Sequence, residues 1–198
     1  MAKIVDKEQK KRDIALSCKE LILKNGLHNL TVSDLAKAAD IGKGTVYEYF
    51  RSKEEIVFEL AKILIQEHTQ ELQQKIKTQT TTRAKVKVFS SFFYDANYNE
   101  LREIYKQFIA LALLYPQEEI LAFNTESISQ YYIWFVSLLE EGVTKKELKK
   151  EILLLSEGLF SVGDGFFIHS CITDTSVDLK VKQDRYIDTI FDMMEIKQ

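Results

Sequence analysis

Residues that break helices are scarce along this chain. Its 198 residues include one proline, Pro116, and seven glycines. Proline and glycine are the residues that most strongly end helices, so their scarcity favours long ones. Alternating apolar and polar residues, the pattern of a strand, are rare, whereas apolar residues recur at helical spacing through most of the chain. We therefore predict an all-α protein.

Residues 30–56, LTVSDLAKAADIGKGTVYEYFRSKEEI, predict two short helices joined by a tight turn, with a third helix directly after them. Thr31 is placed to cap the first helix. Gly42 is expected to supply left-handed backbone geometry where that helix ends. The second helix is predicted over residues 43–49. This is the arrangement of a helix-turn-helix, whose second helix enters the major groove of DNA.

The same segment resembles the DNA-binding motif of TetR-family transcriptional regulators nearly position for position. The resemblance implies nine helices. It also implies an N-terminal three-helix head over residues 1–53 that binds DNA, and a C-terminal helical bundle over residues 54–198 that binds a ligand and dimerises. The matching residues are Thr31, Leu35, Ala36, Gly42, residues 44–50 (GTVYEYF) and residues 53–55 (KEE).

Candidates for DNA contact cluster in this segment. Phosphates supply most of the affinity of such proteins for DNA, and base edges supply the specificity. Lys43, Gly44 and Thr45 open the second helix and lie closest to base edges, where a missing side chain allows close approach and a hydroxyl or methyl group reads bases. The TetR resemblance implies phosphate contacts for four further residues, and Ser33 is a secondary candidate. Those four are Thr31, Tyr47, Tyr49 and Lys53.

Charge supports the same assignment. Residues 1–53 carry eleven Lys and Arg against seven acidic residues, a net of +4, while the whole chain has −3 and the remainder therefore −7. A basic head on an acidic body suits a protein that touches phosphate with one end. Three alternatives remain open at this point: Thr31 as a cap alone, Tyr47 as a core residue, and Lys43 as an ordinary solvated lysine.

The remaining helices follow from periodicity and from cap and break signals. Residues 1–10 are expected to form a polar arm, Ser52 to cap the helix after the head with Glu55 completing a capping box, and residues 173–176 to form a loop. The helices are predicted over 10–24, 53–77, 82–94, 100–114, 117–141, 145–172 and 177–196.

The helix predicted over 145–172 carries apolar or small residues on two faces. Leu148, Ile152, Leu155, Leu159, Val162 and Phe166 form a heptad-like seam, and a second stripe contains small residues. A helix that is apolar on two faces is buried on two sides, so we expect one face to pack on a partner chain together with the last helix. A buried central helix in a monomer is the alternative. The predicted homodimer residues are Ile152, Leu155, Gly158, Leu159, Ser161, Val162, Gly165 and Phe166.

Aromatic residues are concentrated between residues 92 and 135. Ligand pockets are mostly apolar and aromatic with a few polar groups, although aromatic residues at helical spacing more often form core. We predict that a small hydrophobic or aromatic effector binds here and shifts a dimeric repressor away from a palindromic double-stranded DNA operator. The predicted pocket residues are Tyr105, Phe108, Tyr131, Trp134 and Phe135.

Other function classes find little support. Cys18 and Cys171 are expected to be small core residues in a reducing cytoplasm. No residue pattern predicts a metal site, a cofactor, a signal peptide or a membrane span. His28, His68 and His169 lack the Glu-x-x-His spacing of a helical-bundle di-iron enzyme, which leaves an enzyme as a remote alternative. A constitutive repressor without an effector is the closer alternative to the predicted function.

Overall fold

The computed structural model describes residues 6–173 and 179–196, which are almost entirely helical. Within these residues the one extended pairing is an isolated bridge between Leu148 and Glu195, so the all-α prediction is confirmed. Short 3₁₀ turns cover Leu27–Asn29, Ser90–Phe93, Ala96–Tyr98 and Lys150–Leu155. The α-helices are α1 (Lys7–Ser17), α2 (Lys19–Asn25), α3 (Val32–Ala38), α4 (Lys43–Tyr49), α5 (Lys53–Lys77), α6 (Thr82–Phe89), α7 (Asn99–Leu114), α8 (Glu118–Thr144), α9 (Ser156–Thr173) and α10 (Leu179–Met194).

The chain divides into two compact units. Unit 1 comprises Met1–His68 and Glu100–Ile120, and unit 2 comprises Thr69–Asn99 and Leu121–Gln198. The boundary predicted after residue 53 separates a DNA-binding part from a ligand-binding part. It falls inside unit 1, and as a statement about function it stays a prediction.

The first predicted helix begins earlier than expected and is interrupted. Asp6 caps α1, because its side-chain oxygen accepts hydrogen bonds from the backbone N–H groups of Glu8 at 3.1 Å and Gln9 at 3.4 Å. The helix breaks at Cys18, which separates α1 from α2, so the described residues contain ten α-helices where about nine were expected. The buried side chains of unit 1 include Ile14, Ile22, Leu35, Val46, Ile56, Leu60 and Ile104.

Unit 2 is organised around α6, α8, α9 and α10. The helix predicted over 82–94 ends at Phe89 and continues as the 3₁₀ turn Ser90–Phe93, where the Ser90 hydroxyl donates to the carbonyl of Lys87 at 2.9 Å. Cys171 is exposed on α9, which corrects the expectation that both cysteines are core residues. The core of this unit consists of Val86, Phe135, Leu139, Leu148, Ile152, Leu159, Ile187 and Phe191.

The prediction of one continuous helix over residues 145–172 is wrong for residues 145–155. The carbonyl of Gly142 accepts hydrogen bonds from the N–H groups of both Glu147 and Leu148, which closes the end of α8. Thr144, the last residue of α8, donates its hydroxyl to the carbonyl of Glu140 one turn earlier. Lys146 adopts the left-handed conformation with φ of 59°. Residues 150–155 then form a 3₁₀ turn, and α9 begins at Ser156.

Tertiary contacts explain this difference. The chain after Lys146 runs beside the end of α10, where the N–H of Lys149 donates to the carbonyl of Met194 at 2.8 Å and the N–H of Ile196 donates to that of Glu147 at 2.9 Å. Leu148 and Ile152 are thereby buried in the core of unit 2. Their apolar spacing reflects this burial and not a continuous helix. Of the predicted loop at 173–176, Thr173 ends α9, and residues 174–176 lie outside the described residues, as does the predicted helix start at 177.

Candidate nucleic-acid interface

α3 begins with the capping box expected at Thr31. The Thr31 hydroxyl oxygen accepts from the N–H of Asp34 at 3.3 Å, and the N–H of Thr31 donates to the Asp34 carboxylate at 2.9 Å. The hydroxyl also donates to the same carboxylate at 2.6 Å. Hydrogen bonds from the side chain and backbone of Thr31 lower the pKa of Asp34 below its usual value. The hydroxyl of Thr31 is therefore engaged within the chain, although the residue is exposed.

The turn between α3 and α4 differs from the expectation. The positive φ falls on Asp40, at 52°, and the N–H of Ile41 closes the turn on the carbonyl of Ala36 at 3.0 Å. Asp tolerates the left-handed region better than most residues with a side chain. Gly42 is instead the N-cap of α4 in an extended conformation, with φ of −68° and ψ of 147°. The prediction of left-handed geometry at Gly42 is wrong by two residues.

α4 occupies the predicted residues and has two distinct faces. Val46, within α4, and Phe50, which ends it, point inward, with 1% and 3% of their surface exposed. Tyr47 is 53% exposed. This exposure contradicts the alternative that Tyr47 is a core residue. Of the remaining candidates, Ser33, Lys43 and Gly44 are exposed, and Thr45, Tyr49 and Lys53 are partly buried.

Lys53 opens α5 and is bound within the chain. Its ammonium nitrogen donates to the backbone carbonyls of Leu30 at 2.8 Å, Leu27 at 3.1 Å and His28 at 3.4 Å. The neighbouring capping box forms only in part: the hydroxyl oxygen of Ser52 accepts from the N–H of Glu55 at 3.4 Å, but the Glu55 carboxylate reaches the N–H of Arg51 at 2.7 Å.

A cleft of about 460 Å³ lies beside the end of α4 in unit 1. Three of the residues around it are cations that the sequence prediction did not include: Lys7, Lys11 and Arg51. Lys7 and Lys11 are four positions apart on α1, one helical turn, and this spacing was the available signal. It was missed because residues 1–10 were expected to be an arm. The residues that line the cleft are Lys7, Lys11, Tyr47, Glu48, Tyr49, Phe50, Arg51 and Glu55.

The five predicted pocket residues fall in both units. In unit 1, Phe108 is buried and stacks on Phe58 with 5.5 Å between ring centroids. In unit 2, Phe135 is buried in the core, and the Tyr131 hydroxyl lies 3.0 Å from that of Thr69. Burial raises the pKa of Tyr131 to about 12, so its hydroxyl stays protonated.

Within unit 2, the side chains of Tyr131, Trp134 and Phe135 all lie around the ring of Phe89, with centroid distances of 6.2, 5.2 and 5.4 Å. The remaining residue, Tyr105, is partly buried in unit 1. The pocket itself stays a prediction. Among the described residues, no three His, Cys, Asp or Glu side chains come together as a candidate metal site.

α9 presents one buried face and one exposed face. Two predicted dimer residues, Ile152 and Leu159, are buried in the core of their own chain and so are not available to a partner. Val162 and Phe166 are partly buried, and the Phe166 ring packs edge-on against Tyr186 of α10. The exposed stripe of predicted residues is Leu155, Gly158, Ser161 and Gly165.

The segment Lys150–Thr173 is also long and apolar enough to cross a membrane by length and composition, with 28% of the tested window buried. Length and composition alone are weak evidence for a span. Two large apolar side chains of this segment are strongly exposed: Leu154, in the 3₁₀ turn before α9, at 85% and Ile172, on α9, at 75%. Exposed apolar patches often mark interaction sites.

A family model described as "Bacterial regulatory proteins, tetR family" matches residues 18–60. This range contains the capped α3, the turn at Asp40 and the exposed reading face of α4. The chain belongs to the TetR family. It is a DNA-binding transcriptional regulator and not an enzyme, and α3 and α4 are the two helices of its helix-turn-helix segment.

This TetR-family regulator is similar in sequence or in fold to several named proteins. The fatty acid metabolism regulator protein of Bacillus subtilis (strain 168) is 28% identical over 167 residues, which cover 81% of this chain and 82% of that protein. The fold is shared with a TetR-family transcriptional regulator from Cytophaga hutchinsonii, at a TM-score of 0.82 and 16% identity over 99% of this chain and 100% of the other. It is also shared with a transcriptional regulator FadR from Bacillus subtilis in complex with stearoyl-CoA, at a TM-score of 0.68 and 24% identity over 90% and 96% of the two chains.

Proposed function

We propose that this regulator is a homodimeric repressor that binds a palindromic operator and is released from it by a ligand with a long acyl chain. The single observation that carries the proposal is the exposed face of α4. That face presents Lys43, Gly44 and Tyr47 to solvent while Val46 anchors the helix in the core. A two-fold dimer places two such helices about one DNA turn (~34 Å) apart, so that each reads one half-site.

The proposed DNA contacts keep seven of the eight predicted residues and add the cations of the cleft. Base contacts are assigned to the leading end of α4, and phosphate contacts to the surrounding side chains. The eighth residue, Lys53, is left out because its ammonium group donates to three backbone carbonyls. The proposed contact residues are Thr31, Ser33, Lys43, Gly44, Thr45, Tyr47 and Tyr49, with Lys7, Lys11 and Arg51 as additional phosphate ligands.

The test is fluorescence anisotropy on the intergenic DNA beside the gene, against scrambled DNA of equal length, across a salt series. Tight binding to one site, with affinity that falls steeply as salt rises, is expected. Arg51→Ala removes one proposed phosphate ligand and is expected to reduce the slope of log affinity against log salt by about 1. Glu140→Ala, an exposed substitution on α8 in unit 2, is the control and leaves DNA binding unchanged. Equal weak binding to both DNAs contradicts a specific repressor at this site.

The dimer contact is assigned to the exposed stripe of α9. Added Cβ atoms at Gly158 and Gly165 meet nothing within 4 Å in the single chain, so the stripe has room for the close approach of another helix. Large exposed side chains of unit 2, Leu154 and Ile172 among them, supply apolar area for a partner to bury. α10 contributes Val181 and Met193, which are 47% and 52% exposed.

Sedimentation tests this assignment. Ser161→Arg places a charge in the middle of the stripe and is expected to yield monomers, because a buried charge without a partner is costly. Ser129→Arg makes the same change at an exposed position of α8 and is expected to sediment as wild type. A dimer that survives Ser161→Arg contradicts the assignment.

The acyl ligand is proposed from the relatives and from the aromatic residues of the chain. One relative is a fatty acid metabolism regulator, and one structure of the same fold contains stearoyl-CoA. Partly buried aromatic side chains are suited to an apolar ligand. Trp134 is the single tryptophan of the chain and lies 5.2 Å from Phe89 between ring centroids, so its fluorescence reports on this aromatic cluster.

Stearoyl-CoA is expected to change Trp134 emission and to release the operator in the anisotropy assay, whereas free coenzyme A does neither. If coenzyme A acts as well as stearoyl-CoA, the acyl chain is not the recognised group. If neither has an effect on a chain that binds its operator, the constitutive repressor is the better description. Release of most of the bound DNA requires a ligand that prefers the free form by a few kcal/mol.

A further inference from the structure

The turn that leads into α3 carries three features of its own. Gly26 ends α2 with φ of 73°, a conformation that glycine adopts without strain. Leu27 and Leu30 are buried, with 2% and 6% of their surface exposed, although they flank a turn. Thr31, the cap of α3, follows directly. The position of this turn, residues 26–30, therefore sets where the helix-turn-helix begins.

Gln107 of α7 holds the turn from one side. Its side-chain oxygen accepts from the N–H of Leu27 at 3.0 Å, and its amide nitrogen donates to the carbonyl of Ile22 at 3.4 Å. One amide group thus supplies an acceptor and a donor to the backbone on both sides of Gly26. Gln107 lies 80 residues after Leu27, beyond the 18–60 range of the family match, and both residues belong to unit 1.

Lys53 of α5 holds the same turn from another side. An ammonium group has three N–H donors, and the chain offers three carbonyls within hydrogen-bond distance, those of Leu27, His28 and Leu30. These carbonyls belong to a short 3₁₀ turn and its end, in which the carbonyl of Leu27 also accepts from the N–H of Leu30 at 3.2 Å. A charged donor makes stronger hydrogen bonds than a neutral one.

We infer that Gln107 and Lys53 are positioning residues for DNA binding: they clamp the turn at residues 26–30, and thereby fix the start of α3 and the reading helix packed on it, without touching DNA themselves. Binding groups lose effectiveness when they shift by about 0.5 Å from the productive geometry, so a loose turn weakens the contacts made by α3 and α4. For Lys53 this replaces the predicted phosphate contact of the side chain. The inference rests on the DNA binding proposed above.

Operator affinity across a salt series separates the two roles of Lys53. Lys53→Met, which keeps the length of the side chain, is expected to lower operator affinity by about tenfold. It leaves the slope of log affinity against log salt unchanged, because no phosphate contact is lost. Arg51→Ala, which removes a proposed phosphate ligand, is the comparison, with its expected slope change of about 1. A slope change of that size in Lys53→Met would show a phosphate contact and overturn the assignment.

Gln107→Leu is expected to lower affinity by a similar factor, again at constant slope. Gln107→Glu keeps the acceptor for the N–H of Leu27 but loses the donor to Ile22, so its affinity is expected to fall between those of wild type and Gln107→Leu. Ile104→Val, a buried substitution on the same helix, controls for general loss of stability and is expected to bind the operator as wild type does. If Ile104→Val loses as much affinity as Gln107→Leu, the effect is not positional and the inference is wrong.

Hydrogen exchange of the protein without DNA provides an independent readout. The Leu27 amide is expected to exchange faster in Gln107→Leu than in wild type and in Ile104→Val, because its acceptor is gone. Unchanged exchange at Leu27 overturns the clamp whether or not an operator is bound. A wild-type chain that shows protected exchange at Leu27 and yet fails to bind any operator contradicts the proposed function and leaves the clamp in place as a structural feature only.

Discussion

Cys18 and Cys171 occupy opposite environments. Cys18 is fully buried and its thiol donates to the carbonyl of Leu35 at 3.4 Å, whereas Cys171 is exposed on α9. We expect Ellman's reagent to label one thiol per native chain and two after denaturation, since only an accessible thiolate reacts. Cys171→Ser is the control and should abolish labelling of the native protein. Rapid labelling of Cys18 in that variant would contradict the packing of α1 on α3.

Because Cys18 is buried, the stability of the protein is expected to fall at alkaline pH. Burial raises the pKa of Cys18 to about 11, above its unfolded value of 9.0. The neutral thiol is favoured in the folded state, so its contribution is present below about pH 9 and is lost as pH rises through 11. From the shift, that contribution is about 3 kcal/mol. Urea unfolding at pH 8 and pH 10.5 should show a smaller loss of stability in Cys18→Ala than in wild type. Equal losses would contradict it.

At the scale of single elements, close packing decides what the sequence pattern leaves open. A Cβ atom added at Gly163 of α9 meets the ring of Phe93 at 2.4 Å, whereas Gly158 and Gly165 on the same helix have open space. Gly163→Ala is expected to destabilise the protein by about 1–3 kcal/mol through overpacking. Phe93→Leu removes the ring, so adding Gly163→Ala to that variant should cost less. Equal costs in both backgrounds, by thermal unfolding, would show that this clash is not the cause.

The elements predicted correctly from sequence are those set by local chemistry. The range of α4 and the cap of α3 at Thr31 depend on residues within a few positions of one another. The start of α9 depended instead on contacts far along the chain, because Leu148 pairs with Glu195 near the end of α10. An apolar spacing of three and four fits a helix and a buried 3₁₀ turn equally well, so the pattern alone did not distinguish them.

The residues of the candidate site also divide into those that local sequence predicts and those that depend on distant contacts. On α4, Tyr47 is exposed while the adjacent Val46 is buried, as the sequence motif over residues 44–50 predicts. The bonds of Lys53 and Gln107 to the turn at residues 26–30 join parts of the chain up to 80 residues apart, and no local pattern indicates them. Charge and spacing identify which lysines lie in the head, but only the fold shows which of them hold the backbone of their own chain.

For the whole molecule, the stability of the folded chain and its assembly are linked if the proposed dimer forms through α9. A protein whose folded chains associate gains stability with concentration by mass action. The thermal midpoint of wild type is therefore expected to rise as protein concentration is raised a hundredfold, while that of Ser161→Arg stays constant. Ser129→Arg should follow wild type. A wild-type midpoint independent of concentration, together with an operator bound by a single chain, would mean that the exposed apolar face of α9 serves another partner and that the head reads one half-site alone.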